Sequence, residues 1–177
     1  MPLLSLGSVA PPFTIAPVFG QGLRSPGGRV LVGFIRHLGC PLGRLGLGDY
    51  SVLANAIEAA GVELVVLTDS PAALARDVVS RDHTLCALGL DPAGALRRAF
   101  GLGSVGPRRA KLGALLGHPA AFVQALALRY RVGDIDEGAL PGAFGLEADG
   151  RVGFVWAPPR WDARPEGAAL LRWARGG

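Results

Sequence analysis

A lone cysteine, Cys40, stands directly before Pro41 in the stretch RVLVGFIRHLGCPLGRLGLGDYSVL, between an apolar run and an amphipathic one. Proline is favoured at the first turn of a helix, which puts Cys40 at the N-cap. There its sulfur faces unpaired backbone N–H groups and the positive end of the helix dipole, the setting of an attacking thiol. Arg36, His37 and Arg44 are close in sequence and add positive potential. Against this stands the ordinary behaviour of cysteine, which is among the most often buried residue types. Gly43, Gly46 and Gly48 also crowd the first turns of the helix, each at a cost of about 1 kcal/mol relative to alanine.

Other groupings fit their chemistry less well. GLGSVG, Gly101 to Gly106, matches the spacing of a dinucleotide fingerprint, but a helical pattern precedes it, Pro107 follows, and the next acidic residue is Asp134. His37 with Cys40 and His83 with Cys86 formally give a two-histidine, two-cysteine zinc set. An odd offset along a strand sends His83 and Cys86 to opposite faces, so no metal is expected. Ser104, His118 and Asp134 lack the G-x-S-x-G elbow of a hydrolase. His118 before Pro119 reads as a helix cap, and Trp156, Trp161 and Trp173 read as core or edge packing.

The elements that must hold Cys40 alternate between strand and helix. RVLVGFI, Arg29 to Ile35, is short, apolar and bounded by glycines, as a buried strand is. Leu45, Val52, Leu53, Ala56, Ile57 and Ala60 recur at helical spacing, with Gly61 as the stop. Val62 to Thr68 is a second buried strand, and the β-α-β unit implies parallel strands. Ser70 then Pro71 predicts an N-cap and a helix through about Val79. Thr84 to Leu88 is a short strand containing Cys86, and Asp91-Pro92 opens a helix ending at Gly101. Residues 102–119 read as a loop with a helical turn around Lys111 to Leu116, and His118 to Tyr130 as a helix. GAFGLEADGRVGFVW turns at Asp149 and Gly150 as a hairpin. A last helix, entered through Asp162, runs from Pro165 to Ala174. The order predicts an α/β fold, a mixed central sheet with helices on both faces, in one domain spanning 1–177. Ligands of such sheets sit at the carboxyl ends of the strands, where Cys40 lies.

Composition narrows the function classes. Of eighteen lysines and arginines only Lys111 is a lysine, and the net charge is +4. The densest basic cluster, Arg97, Arg98, Arg108, Arg109 and Lys111, lacks interleaved aromatics for stacking on bases, which argues for solvated surface and against nucleic acid. Two cysteines are too few for a disulfide scaffold. The apolar N-terminus has no basic residue before Arg24, prolines interrupt it, and no later run is long enough to span a bilayer. A cytoplasmic protein without membrane contact is expected.

GFIRHLGCPLGR resembles the peroxiredoxin-like branch of the AhpC/TSA family, proteins of thioredoxin fold. APPFT, GVELVVLTDSP, DPAGALRRAFGL, LPGAFGLEADGRV and DARP follow in the order of that family over nearly the whole chain. The resemblance implies a thioredoxin-like fold with Cys40 as attacking thiol and Pro141 facing it across a cis bond. It calls for no cofactor, and leaves room for a homodimer. The chain departs from it in three places: Gly43 where related proteins carry a second cysteine, His37 where peroxiredoxins have threonine, and Gly33 where they have proline. The expected activity is one-cysteine antioxidant chemistry. Cys40 reduces a hydroperoxide, with Arg36, Arg44, His37 and Pro141 in the site, and a small external thiol or thioredoxin-like protein recycles it. Cys86 reads as a core thiol. The competing expectation is a redox-inactive binding or scaffold protein that keeps the fold without the C-x-x-C site.

Overall fold

A computed structural model of the chain describes residues 1–104 and 138–177. Its main sheet has five strands in the order β5-β4-β3-β6-β7: β3 Val30–Phe34, β4 Glu63–Thr68, β5 Ala87–Leu90, β6 Gly142–Leu146 and β7 Val152–Trp156. The pairs β3·β4 and β4·β5 are parallel, while β6 runs antiparallel to β3 and β7 antiparallel to β6. β3 is central and buried along its whole length, which is why its sequence is continuously apolar rather than alternating. Two short strands, β1 Phe13–Ile15 and β2 Leu23–Ser25, form a separate antiparallel pair.

Side-chain alternation along the sheet divides the core in two. On one face Leu31, Leu64, Val66, Leu88 and Ala143 meet three helices, α1 Pro41–Glu58, α2 Ala72–Asp82 and α4 Gly167–Ala174, through Tyr50, Ile57, Val78 and Leu170. On the other, Val30, Val32, Phe34, Val65, Leu67 and Phe144 pack on β1, β2 and the residues after the short helix α3, Ala95–Ala99. Phe34, Phe100 and Phe144 form an aromatic cluster there, with ring centroids 5.0–6.1 Å apart. The mixed sheet with helices on both faces is the expected architecture.

Several element ends differ from the sequence expectation, two of them because a polar group is engaged elsewhere. Ser70 does not cap α2, whose N-cap is Pro71; it is buried and spends its hydroxyl on the Leu38 amide. α2 runs on to Asp82 and closes on His83 in the left-handed region, φ 47°. The strand expected over Thr84 to Leu88 begins only at Ala87, so Cys86 precedes it, fully buried. α3 starts at Ala95 rather than beside Pro92, yet Asp91 still serves its first turn, its carboxylate accepting the amides of Leu96 (3.2 Å) and Arg97 (2.8 Å). Asp162 is held by Arg160, and α4 begins after Glu166. The turn expected at Lys111 to Leu116, the helix expected at His118 to Tyr130, and Asp134 lie outside the described residues. Among those described, no helix is long and apolar enough to cross a membrane.

Candidate active site

Cys40 is the N-cap of α1, at the carboxyl end of the central strand, with extended backbone and a half-buried side chain. Its amide donates to the His37 carbonyl at 3.0 Å, and its carbonyl accepts from the amides of Gly43 (2.9 Å) and Arg44 (3.2 Å). The cysteine is thereby fixed on both sides. The expected bond from the helix backbone to the sulfur is not made. Instead the Arg36 guanidinium supplies the donor, with Nη1 3.6 Å from Sγ, a charged donor being the stronger partner.

The loop from β3 to Cys40 is held by groups scattered along the chain. The Leu38 amide donates to Ser70 Oγ at 2.6 Å, and Thr68 Oγ1 donates to the Arg36 carbonyl at 3.2 Å. Arg44 Nε donates to the Leu38 carbonyl at 3.0 Å, securing the loop from the helix side. His37 is buried and its carbonyl is the anchor for Cys40. The Arg36 guanidinium carbon lies 4.7 Å from the centre of the Trp161 ring.

Sequence reasoning missed two of these residues. Arg97, assigned to a solvated cluster, is only 6 % exposed. Its Nη2 donates to the Ile35 carbonyl at 2.7 Å and its Nη1 to the Leu140 carbonyl, tying the cysteine loop to the segment before β6. Trp161 is buried, as its packing reading implied, and in addition faces the Arg36 guanidinium. An arginine paired with backbone carbonyls more than forty residues away leaves no local pattern; the only available signal was the buried phase of DPAGALRRAF.

Pro141 corrects a second expectation. It is buried and shares with Arg36, Tyr50, Trp156 and Trp161 a cavity of about 20 Å³, space for about one water. The Leu140–Pro141 bond is not cis; among the described residues the cis bond is Ser25–Pro26. The Leu140 carbonyl is engaged by Arg97, and the chain runs straight on into β6. Cys86 lies in the core cluster that also holds Ala54 and Val78, and burial pushes its thiol up to about 12.

No family profile and no curated protein matches the chain. Solved structures do. Peroxidoxin BcpB from Mycobacterium tuberculosis superposes with a TM-score of 0.65 over 98% of this chain and 97% of its own, at 15% identity. A peroxiredoxin-like protein from Aquifex aeolicus gives 0.71 over 99% and 89%, at 13% identity. A variant of peroxiredoxin 6 from Arenicola marina gives 0.66 over 97% and 72%, at 16%. The chain has a peroxiredoxin-like thioredoxin fold. Within that peroxiredoxin-like fold, two of the departures have a visible steric basis. A Cβ on Gly43 would stand 2.3 Å from the His37 carbonyl oxygen and 3.0 Å from that of Arg36, both backbone atoms, so no cysteine fits beside Cys40 as the chain stands. A Cβ on Gly33 would stand 2.7 Å from the Tyr50 ring, which occupies the space a proline ring would need.

Proposed function

We propose that the protein is a one-cysteine thiol peroxidase. The observation that carries this reading is the Arg36 Nη1 to Cys40 Sγ contact of 3.6 Å at the N-cap of α1. The Cys40 thiolate attacks the outer oxygen of a hydroperoxide; the S–O bond forms as the O–O bond breaks, and the leaving oxygen departs as an alcohol or water once protonated. Arg36 offers charge to the oxygens as the bond polarises, the role of an oxyanion hole. The sulfenic acid then condenses with an external small thiol or thioredoxin-like protein, releasing water, and a second thiol restores Cys40 and leaves as a disulfide. The burial of Cys86 and the glycine at position 43 support recycling by an external rather than an internal thiol. An antioxidant role follows from this chemistry.

The test is peroxide consumption with dithiothreitol as reductant. Wild type and Cys86→Ala consume peroxide catalytically and Cys40→Ser does not; equal rates for wild type and Cys40→Ser would overturn the reading in favour of a redox-inactive scaffold.

A further inference from the structure

The loop of residues 157–166 joins β7 to α4 and contains the DARP stretch, which the site as described leaves without a part. Trp161 in this loop is buried, with the Arg36 guanidinium over its ring at 4.7 Å. Arg160 grips Asp162 through Nε (3.0 Å) and Nη2 (2.8 Å), bracketing Trp161. Three residues after Trp161, Arg164 Nε donates to Asp49 Oδ2 at 2.6 Å, and its Nη2 donates to Asp49 Oδ1. This fork is the geometry in which an ion pair carries directional information. Asp49 belongs to α1, the helix that Cys40 caps. The loop is therefore tied to the helix of the cysteine at Asp49 and to the cysteine's own donor at Arg36.

An arginine side chain is long and rotamer-rich, and its head stays on one atom only where something restricts it. We propose that Trp161 is a positioning residue that holds Arg36 on the Cys40 sulfur, with the Arg164–Asp49 pair as the latch that keeps Trp161 in place. The indole face limits where the guanidinium can lie, and in the position it takes Nη1 meets the sulfur. Release of the latch frees the loop, and Arg36 leaves Sγ for solvent. The proposal deepens the reading of Cys40 as an attacking thiol and rests on it, but its test reads charge at the sulfur rather than peroxide turnover.

The experiment measures Cys40 alkylation in the full chain by iodoacetate and by iodoacetamide, counted by mass on the Cys40 peptide. A seated guanidinium favours the anionic reagent, so the rate ratio reports Arg36 directly. Trp161→Leu is expected to lower that ratio about fivefold or more, the water-like limit for a unit charge at this range. Trp161→Phe, which retains an aromatic face for the cation, stays within about twofold of wild type. Asp49→Asn and Arg164→Gln, at an exposed pair whose loss leaves the core intact, each lower the ratio, and the double variant lowers it no further than either alone. A wild-type ratio in Trp161→Leu, or a Phe variant that falls as far as Leu, overturns the positioning role; a wild-type ratio in Asp49→Asn overturns the latch. A protein inactive toward peroxide would still show the ratio changes, and one with unchanged ratios could still turn over, so the two readings fail separately.

Discussion

Replacing Gly43 by alanine adds one methyl group where the helix of the cysteine presses on its own loop. The added Cβ meets the His37 carbonyl oxygen at 2.3 Å and the Arg36 carbonyl oxygen at 3.0 Å. Neither can swing away cheaply: the first accepts the Cys40 amide and the second accepts Thr68 Oγ1. Gly48 lies in the same helix with nothing within 4 Å of its added Cβ. Alanine gains about 0.5–1 kcal/mol over glycine at both positions through helix propensity, so that contribution cancels between the two variants. Their difference is the steric cost, about 1–3 kcal/mol for overpacking, with Gly48→Ala more stable than wild type. For a chain of 177 residues, where 1 kcal/mol shifts Tm by about 2–4 °C, the two should separate by about 2–12 °C in calorimetry. Equal melting temperatures would refute the packing argument, and with it the steric reason why no second cysteine stands at 43. Gly43→Cys should likewise be destabilised, and a disulfide forming readily between Cys40 and the introduced thiol would count against the same reasoning.

Two further outcomes follow from buried polar groups. Cys86 is held protonated in the fold up to about 12 against an ordinary 9.0, so the native state keeps a proton that the unfolded chain loses. Stability from this source is present below pH 9.0 and drains as pH rises toward about 12; Tyr50, also pushed up by burial, acts with the same sign. Urea titrations across that range should show a shallower decline in Cys86→Ala, and an identical slope would contradict it. Arg97→Met keeps much of the volume but strands the Ile35 and Leu140 carbonyls, at about 1–3 kcal/mol for each buried acceptor left unmet. Arg97→Lys should recover only part of the loss, because one ammonium cannot reproduce the fork; full recovery in urea midpoints would rule that out.

The parts of the fold set by local rules were legible in the sequence. A continuous apolar run announced β3, proline after Cys40 announced the start of α1, and Asp149-Gly150 announced the hairpin. What escaped were contacts between distant residues. Ser70 followed by Pro71 satisfies every local rule for an N-cap, yet the Leu38 amide, thirty-two residues earlier, claims its hydroxyl. Arg97 looked like one of a surface cluster because nothing nearby in sequence shows that its partners are Ile35 and Leu140. The cis bond expected at Pro141 came from the resemblance and from the place of LPG just before a strand, neither of which sees the Arg97 contact to the Leu140 carbonyl. Arg36 was a candidate by proximity, but its contact with Trp161 spans one hundred and twenty-five positions and no periodicity carries it.

The attacking role proposed for Cys40 is tested most directly by trapping a sulfenic acid on it. With one equivalent of hydroperoxide and a dimedone-type probe present, peptide mass analysis should find the adduct on Cys40 and not on Cys86, since oxidation follows thiolate character and exposure. Arg36→Met, which removes the donor 3.6 Å from the sulfur, should slow the labelling while leaving its site unchanged. Absence of any adduct on Cys40 at several-fold excess peroxide, or labelling that falls first on Cys86, would contradict the assignment.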